Sequence, residues 1–89
     1  MLQVVDAIPY GHENAVTREE LKRRTGLNDR MIREEICRSE ELIINLQDGK
    51  GYFKPLPDEI DLVDAWIHQF KSRIREENRR LRKAKAWYA

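Results

Sequence analysis

The chain predicts a mainly α fold that carries one small β-hairpin, an α+β arrangement followed by a long helix. Three observations carry that prediction. Residues 17–38 hold two short helix signals joined through Gly26, and residues 42–53 hold two short β-prone runs on either side of Asp48-Gly49. From Asp58 onward there is no Pro or Gly, and apolar residues recur at steps of three and four.

The elements follow in order. Leu2, Val4, Val5, Ala7 and Ile8 form an apolar segment long enough for two helical turns, which Pro9 then discourages. Residues 9–14, PYGHEN, are loop by composition. Thr17-Arg-Glu-Glu20 reads as a capping box, with the Thr17 hydroxyl taking an N–H three residues on and Glu20 reaching back. The helix it opens runs to about Thr25 and buries Leu21 and Thr25 on one face, and Gly26 supplies the left-handed residue that ends it. Leu27 is a core plug. Asn28 caps a second helix over roughly 29–40, with Asp29 at its positive end and Ile32 and Ile36 facing inward. Leu42–Leu46 and Tyr52-Phe53 make the hairpin, with Asp48-Gly49 as a strong signal for a tight turn. Pro55 and Pro57 close it. The final helix, about 30 residues at ~1.5 Å each, is ~45 Å long and outreaches the small unit before it. Its distal half therefore cannot bury its stripe against its own domain. Residues 1–56 thus form one compact unit, and residues 57–89 an amphipathic helix suited to pairing.

Composition narrows the function classes. Eighty-nine residues make one small domain, for which self-association is a natural source of stability. No apolar run approaches the ~20 residues of a membrane span, and the start lacks the pattern of a signal peptide. A single cysteine, Cys37, excludes an internal disulfide and suits a reducing, cytoplasmic setting. His12, Cys37 and His68 have no metal-ligand spacing, and no nucleophile–base pair or phosphate loop is visible. We expect no metal, no cofactor and no enzymatic activity. Charge is strongly polarised: residues 1–70 carry nine Lys/Arg against fourteen Asp/Glu, a net of −5, and residues 71–89 carry eight against two, a net of +6.

The order helix, glycine turn, helix, hairpin is the plan of a winged helix-turn-helix. Residues 17–55 resemble the group typified by the N-terminal DNA-binding domain of the biotin operon repressor. The matching features are Glu20-Leu21, the Gly26-Leu27-Asn28 turn, Ile32–Ile36, and a wing of Gly49-Lys-Gly-Tyr52 followed by Pro55. Similar sequences occur in small bacterial and phage proteins with a helical tail. The resemblance implies that the 29–38 helix enters a major groove, that the hairpin touches the backbone, and that the partner is double-stranded DNA.

Candidate contacts follow from residue chemistry. Arg30, Arg33 and Arg38 suit guanine edges or phosphates, and Glu34 could accept from a cytosine amino group. The same Arg30, Glu34 and Arg38 lie at i, i+4 and i+8, where a solvated salt-bridge ladder is the competing explanation. Thr17, Arg18 and Asn28 stand at helix N-termini, where phosphate contact would add to capping. Lys50 and Lys54 on the wing could clamp a backbone or simply guard a strand edge. In the last helix Ile60, Val63, Ile67, Phe70, Ile74, Leu81, Ala84 and Tyr88 form the stripe, broken once by Glu77 and flanked by Trp66 and Trp87. An antiparallel homodimer layers Ile67 on Ala84, Phe70 on Leu81 and Ile74 on Glu77 of the second copy, and sets Asp64 near Lys85; a parallel one opposes Arg80 to Lys85. The antiparallel form is favoured. The sequence thus predicts a small dimeric protein that binds duplex DNA sequence-specifically, as a bacterial or phage transcriptional regulator. The rival is a winged helix serving protein–protein assembly in a replication or phage complex, which the net −5 of residues 1–70 favours.

Overall fold

The computed structural model describes residues 3–88. In chain order it holds α1 (Val4–Ala7), a 3₁₀ turn (His12–Asn14), α2 (Arg18–Thr25), α3 (Asp29–Arg38), β1 (Ile44–Asn45), β2 (Tyr52–Phe53) and α4 (Ile60–Trp87). This is a winged helix-turn-helix followed by a long helix. The apolar opening segment forms a single turn rather than two, and Leu2 lies outside the described residues.

Helices α1, α2 and α3 pack on one another through Val4, Ala7, Ile8, Leu21, Ile32 and Ile43, with Leu27 and Ile36 against them. Leu21 and Ile32 are fully buried, each contributing roughly 1.5–3 kcal/mol of apolar transfer. Thr25 is buried without a polar cost, because its hydroxyl donates to the Leu21 carbonyl at 2.7 Å and accepts from the Leu27 N–H at 3.2 Å. Gly26 ends α2 in the left-handed region at φ +72. Lys22 then ties the two helices together, its Nζ lying 3.2 Å from Asp29 and 3.4 Å from Glu19.

Only half of the Thr17 capping box forms. The Thr17 hydroxyl accepts from the Glu20 N–H at 3.2 Å, but the Glu20 carboxylate turns along the helix to Arg23 and Arg24 instead. Two guanidiniums offer it charge-assisted hydrogen bonds that a backbone N–H cannot match, and they hold its carboxyl below the usual range.

In the hairpin Ile44 pairs with Phe53 and Asn45 with Tyr52, leaving residues 46–51 as the loop. Asp48-Gly49 therefore does not close a two-residue turn. The Asn45 side chain accepts from the Gln47 N–H at 2.8 Å and Asp48 from the Lys50 N–H at 3.1 Å, so two side-chain-capped bends share the reversal. Gln47 and Gly49 both take positive φ. The register is decided on the far side: Val16 and Tyr52 exchange backbone hydrogen bonds of 3.0 and 2.8 Å, adding a one-residue strand beside β2.

Helix α4 leaves the domain beneath β1, with the Gln69 amide 3.4 Å from the Leu46 carbonyl. Its start is anchored by Glu59, whose carboxylate accepts from the Leu56 N–H at 2.8 Å and the His12 N–H at 3.0 Å. No residue of α4 is buried, and Ile74, Leu81 and Tyr88 are 45%, 51% and 73% exposed. The distal stripe has no cover among the described residues. No described helix is long and apolar enough to cross a membrane.

Candidate nucleic-acid interface

The start of α2 touches both the first turn of α3 and the wing around the loop 46–51. Asn28 opens α3 with its side-chain oxygen accepting from the Met31 N–H at 3.0 Å. That cap, with Ile32 buried and Ile36 half-buried, turns Arg30, Arg33, Glu34, Cys37 and Arg38 outward, where they line a shallow depression. The Arg30 Nε lies 3.2 Å from Glu34. Arg33 and Arg38 make no ion pair among the described residues, so the ladder has one rung, and two guanidiniums remain uncommitted.

Arg18 links this face to the rest. Its Nε lies 3.3 Å from Asp29, bringing the first turn of α2 against the first turn of α3. On its other side Thr17 and Arg18 line a cleft of about 280 Å³ with Asn45, Gln47, Gly49, Gly51 and Tyr52. The N-terminus of α2 therefore sits between α3 and the wing. Lys50 is exposed on the wing loop.

Lys54 does not belong to this face. It is buried to 7% exposure, with its Nζ 3.2 Å from Glu41 and 4.9 Å from the centre of the Tyr10 ring. Pairing with a carboxylate while lying over an aromatic face satisfies the ammonium inside the fold, which removes it as a wing clamp. Glu41 also accepts from the Tyr10 hydroxyl, and the phenol followed by the ammonium holds its carboxyl below the usual range.

His12, which looks like an ordinary loop residue in the sequence, pins the wing instead. Its Nε2 lies 2.7 Å from the Asp48 carboxylate, its ring packs 5.1 Å from Phe53, and its N–H goes to Glu59. The Lys50 N–H, then His12, hold the Asp48 carboxyl below its usual range. These partners are 36 and 47 residues away, so no local periodicity announces them. Tyr10 and Glu41, 31 residues apart, were hidden for the same reason.

Of the stripe on α4, Ile60, Ile67 and Phe70 are 65%, 38% and 41% exposed, Val63 is half-buried, and Ala84 is exposed. Trp66 and Phe70 stack at 5.0 Å. No protein-family model, curated protein or solved structure matches the chain.

Proposed function

We propose that this chain binds duplex DNA as a homodimer, with α3 in the major groove, the loop 46–51 on the flanking backbone and α4 joining the two copies. In this reading it is a cytoplasmic transcriptional regulator of the bacterial or phage type, related to the winged group around the biotin operon repressor. One observation carries the proposal. Arg33 and Arg38 stand exposed and unpaired among the described residues on the outward face of α3, the helix whose first turn Arg18 joins to the start of α2 beside the wing. Exposed guanidiniums on one helix face suit phosphates and guanine edges.

The test is salt-dependent binding to duplex DNA by fluorescence anisotropy. Arg33→Ala with Arg38→Ala removes two cationic contacts, and the affinity at low salt should drop at least tenfold while the log–log salt slope falls by about 2. Binding that does not change would take α3 out of the interface. A second reading, a protein-assembly module, is favoured by the Arg30–Glu34 pair and the net −5 of residues 1–70. It gains if the chain binds no mixed-sequence duplex at low salt.

A further inference from the structure

Among the described residues the distal end of α4 is the most exposed apolar part, with Trp87 at 87% and Tyr88 at 73% exposure. At the other end of the same helix lies an open apolar depression lined by Tyr10, Pro55, Leu56, Pro57, Ile60 and Val63. We infer that the two are halves of one contact. In an antiparallel pair of chains, Trp87 and Tyr88 of each copy seat on the Tyr10–Leu56–Ile60 shoulder of the other. The inference rests on the proposed pairing through α4 and gives it an orientation, a register and a contact outside the helix.

The register follows from the stripe. Setting Phe70 on Leu81 and Ile67 on Ala84 of the second copy carries the next layer to Val63 on Tyr88, which is where the depression opens. Trp66 and Trp87 then flank the same layers. Charge selects the occupant and its direction. Residues 71–89 hold a net +6, and residues 1–70 a net −5. Antiparallel pairing at this register lays residues 81–88 of each copy, with Arg82, Lys83 and Lys85, beside residues 63–70 of the other, with Asp64 facing Lys85, while residues 71–80 of the two copies face each other. Parallel pairing would set the two +6 halves together and meet Glu77 with Glu77 in one core layer, two like-charge arrangements that a low-dielectric seam penalises. At the antiparallel register Glu77 meets Ile74 instead. The like-charge neighbours Arg73 and Arg80 are moderated by Glu77, which lies 3.4 Å from Arg80.

Two measurements on the full chain test this. In a Cys37→Ser background, Ile67→Cys and Ala84→Cys chains of different tagged mass are mixed in a glutathione redox buffer. The expected product is predominantly the mixed disulfide between positions 67 and 84. Same-position disulfides in the majority overturn the inference, as does a wild-type chain that sediments as a monomer throughout the micromolar range. Separately, Leu56→Ser lies outside α4 and outside the DNA face, and it should raise the dimer dissociation constant at least fivefold with helical circular dichroism unchanged. An unaltered constant removes the shoulder from the interface and overturns the inference. A monomer that still binds DNA with a steep salt dependence sinks the pairing and leaves the DNA reading standing. A mixed-disulfide dimer that binds no DNA does the reverse.

Discussion

At the scale of single residues, Gly51 holds the wing to the domain. Its φ is +105, and a Cβ built there would lie 2.0 Å from the Val16 carbonyl oxygen, inside the one-residue strand that pairs with Tyr52. Neither backbone segment can retreat without breaking the two hydrogen bonds between Val16 and Tyr52. Gly49 has a similar φ of +87 but nothing within 4 Å. Gly51→Ala should therefore cost at least about 2 kcal/mol and Gly49→Ala about 1 kcal/mol, the second from backbone strain alone. Chemical denaturation of the two variants checks the difference, and equal losses would refute the close approach. Lys54 and His12 carry the opposite lesson. The cation expected on the surface is buried under Tyr10, and the histidine without an expected role fastens the wing.

At the scale of elements, the wing and the start of α4 are held in place by carboxylates reaching across the chain. Glu41 binds Tyr10 and Lys54, Asp48 binds the Lys50 N–H and His12, and Glu59 binds the N–H groups of Leu56 and His12. All three carboxyls sit below their ordinary values because those donors favour the ionised form. A carboxyl depressed in the folded state stabilises the fold above its unfolded value, and that contribution is lost as pH falls through the depressed one. Stability should therefore be level from neutral pH to about 5 and decline below about pH 4. Replacing Glu41 and Glu59 together by Gln should flatten the decline in a thermal-melt pH series; an unaltered slope would show that other carboxylates govern acid unfolding. The helix-turn-helix itself was legible because its signals are local. A cap, a glycine and an i, i+4 apolar pair each act within one turn, and α2 and α3 form where those signals stand. The Asp48-Gly49 turn was misread in detail because strand pairing with Val16, more than thirty residues upstream, sets the register.

At the scale of the whole molecule, an exposed stripe stands beside a small core. The molecule measures 49 × 31 × 24 Å, and α4 accounts for the long dimension. A helix of 28 residues that buries none of them gains little from its own domain. If two copies cover the stripe, their stability is linked to concentration. The apparent Tm should then rise by several degrees between 1 and 100 µM chain, as followed by circular dichroism at 222 nm; a Tm independent of concentration would count against the pairing.

The sequence by itself determined the elements, their order and the solvent-facing stripe of α4, because caps, glycines and apolar periodicity act over a few residues. It also placed Arg30, Arg33, Glu34 and Arg38 on one outward helical face, since that depends only on 100° per residue. The i, i+4 spacing also offered the Arg30–Glu34 pair that forms there, while Arg33 and Arg38 are left exposed. Tertiary structure alone decided that Arg18 is engaged by Asp29 and Lys54 by Glu41. The Arg18 and Lys54 pairs join different elements, and the energy of a charge is set by what the fold brings within ~4 Å of it, a distance that local sequence does not encode.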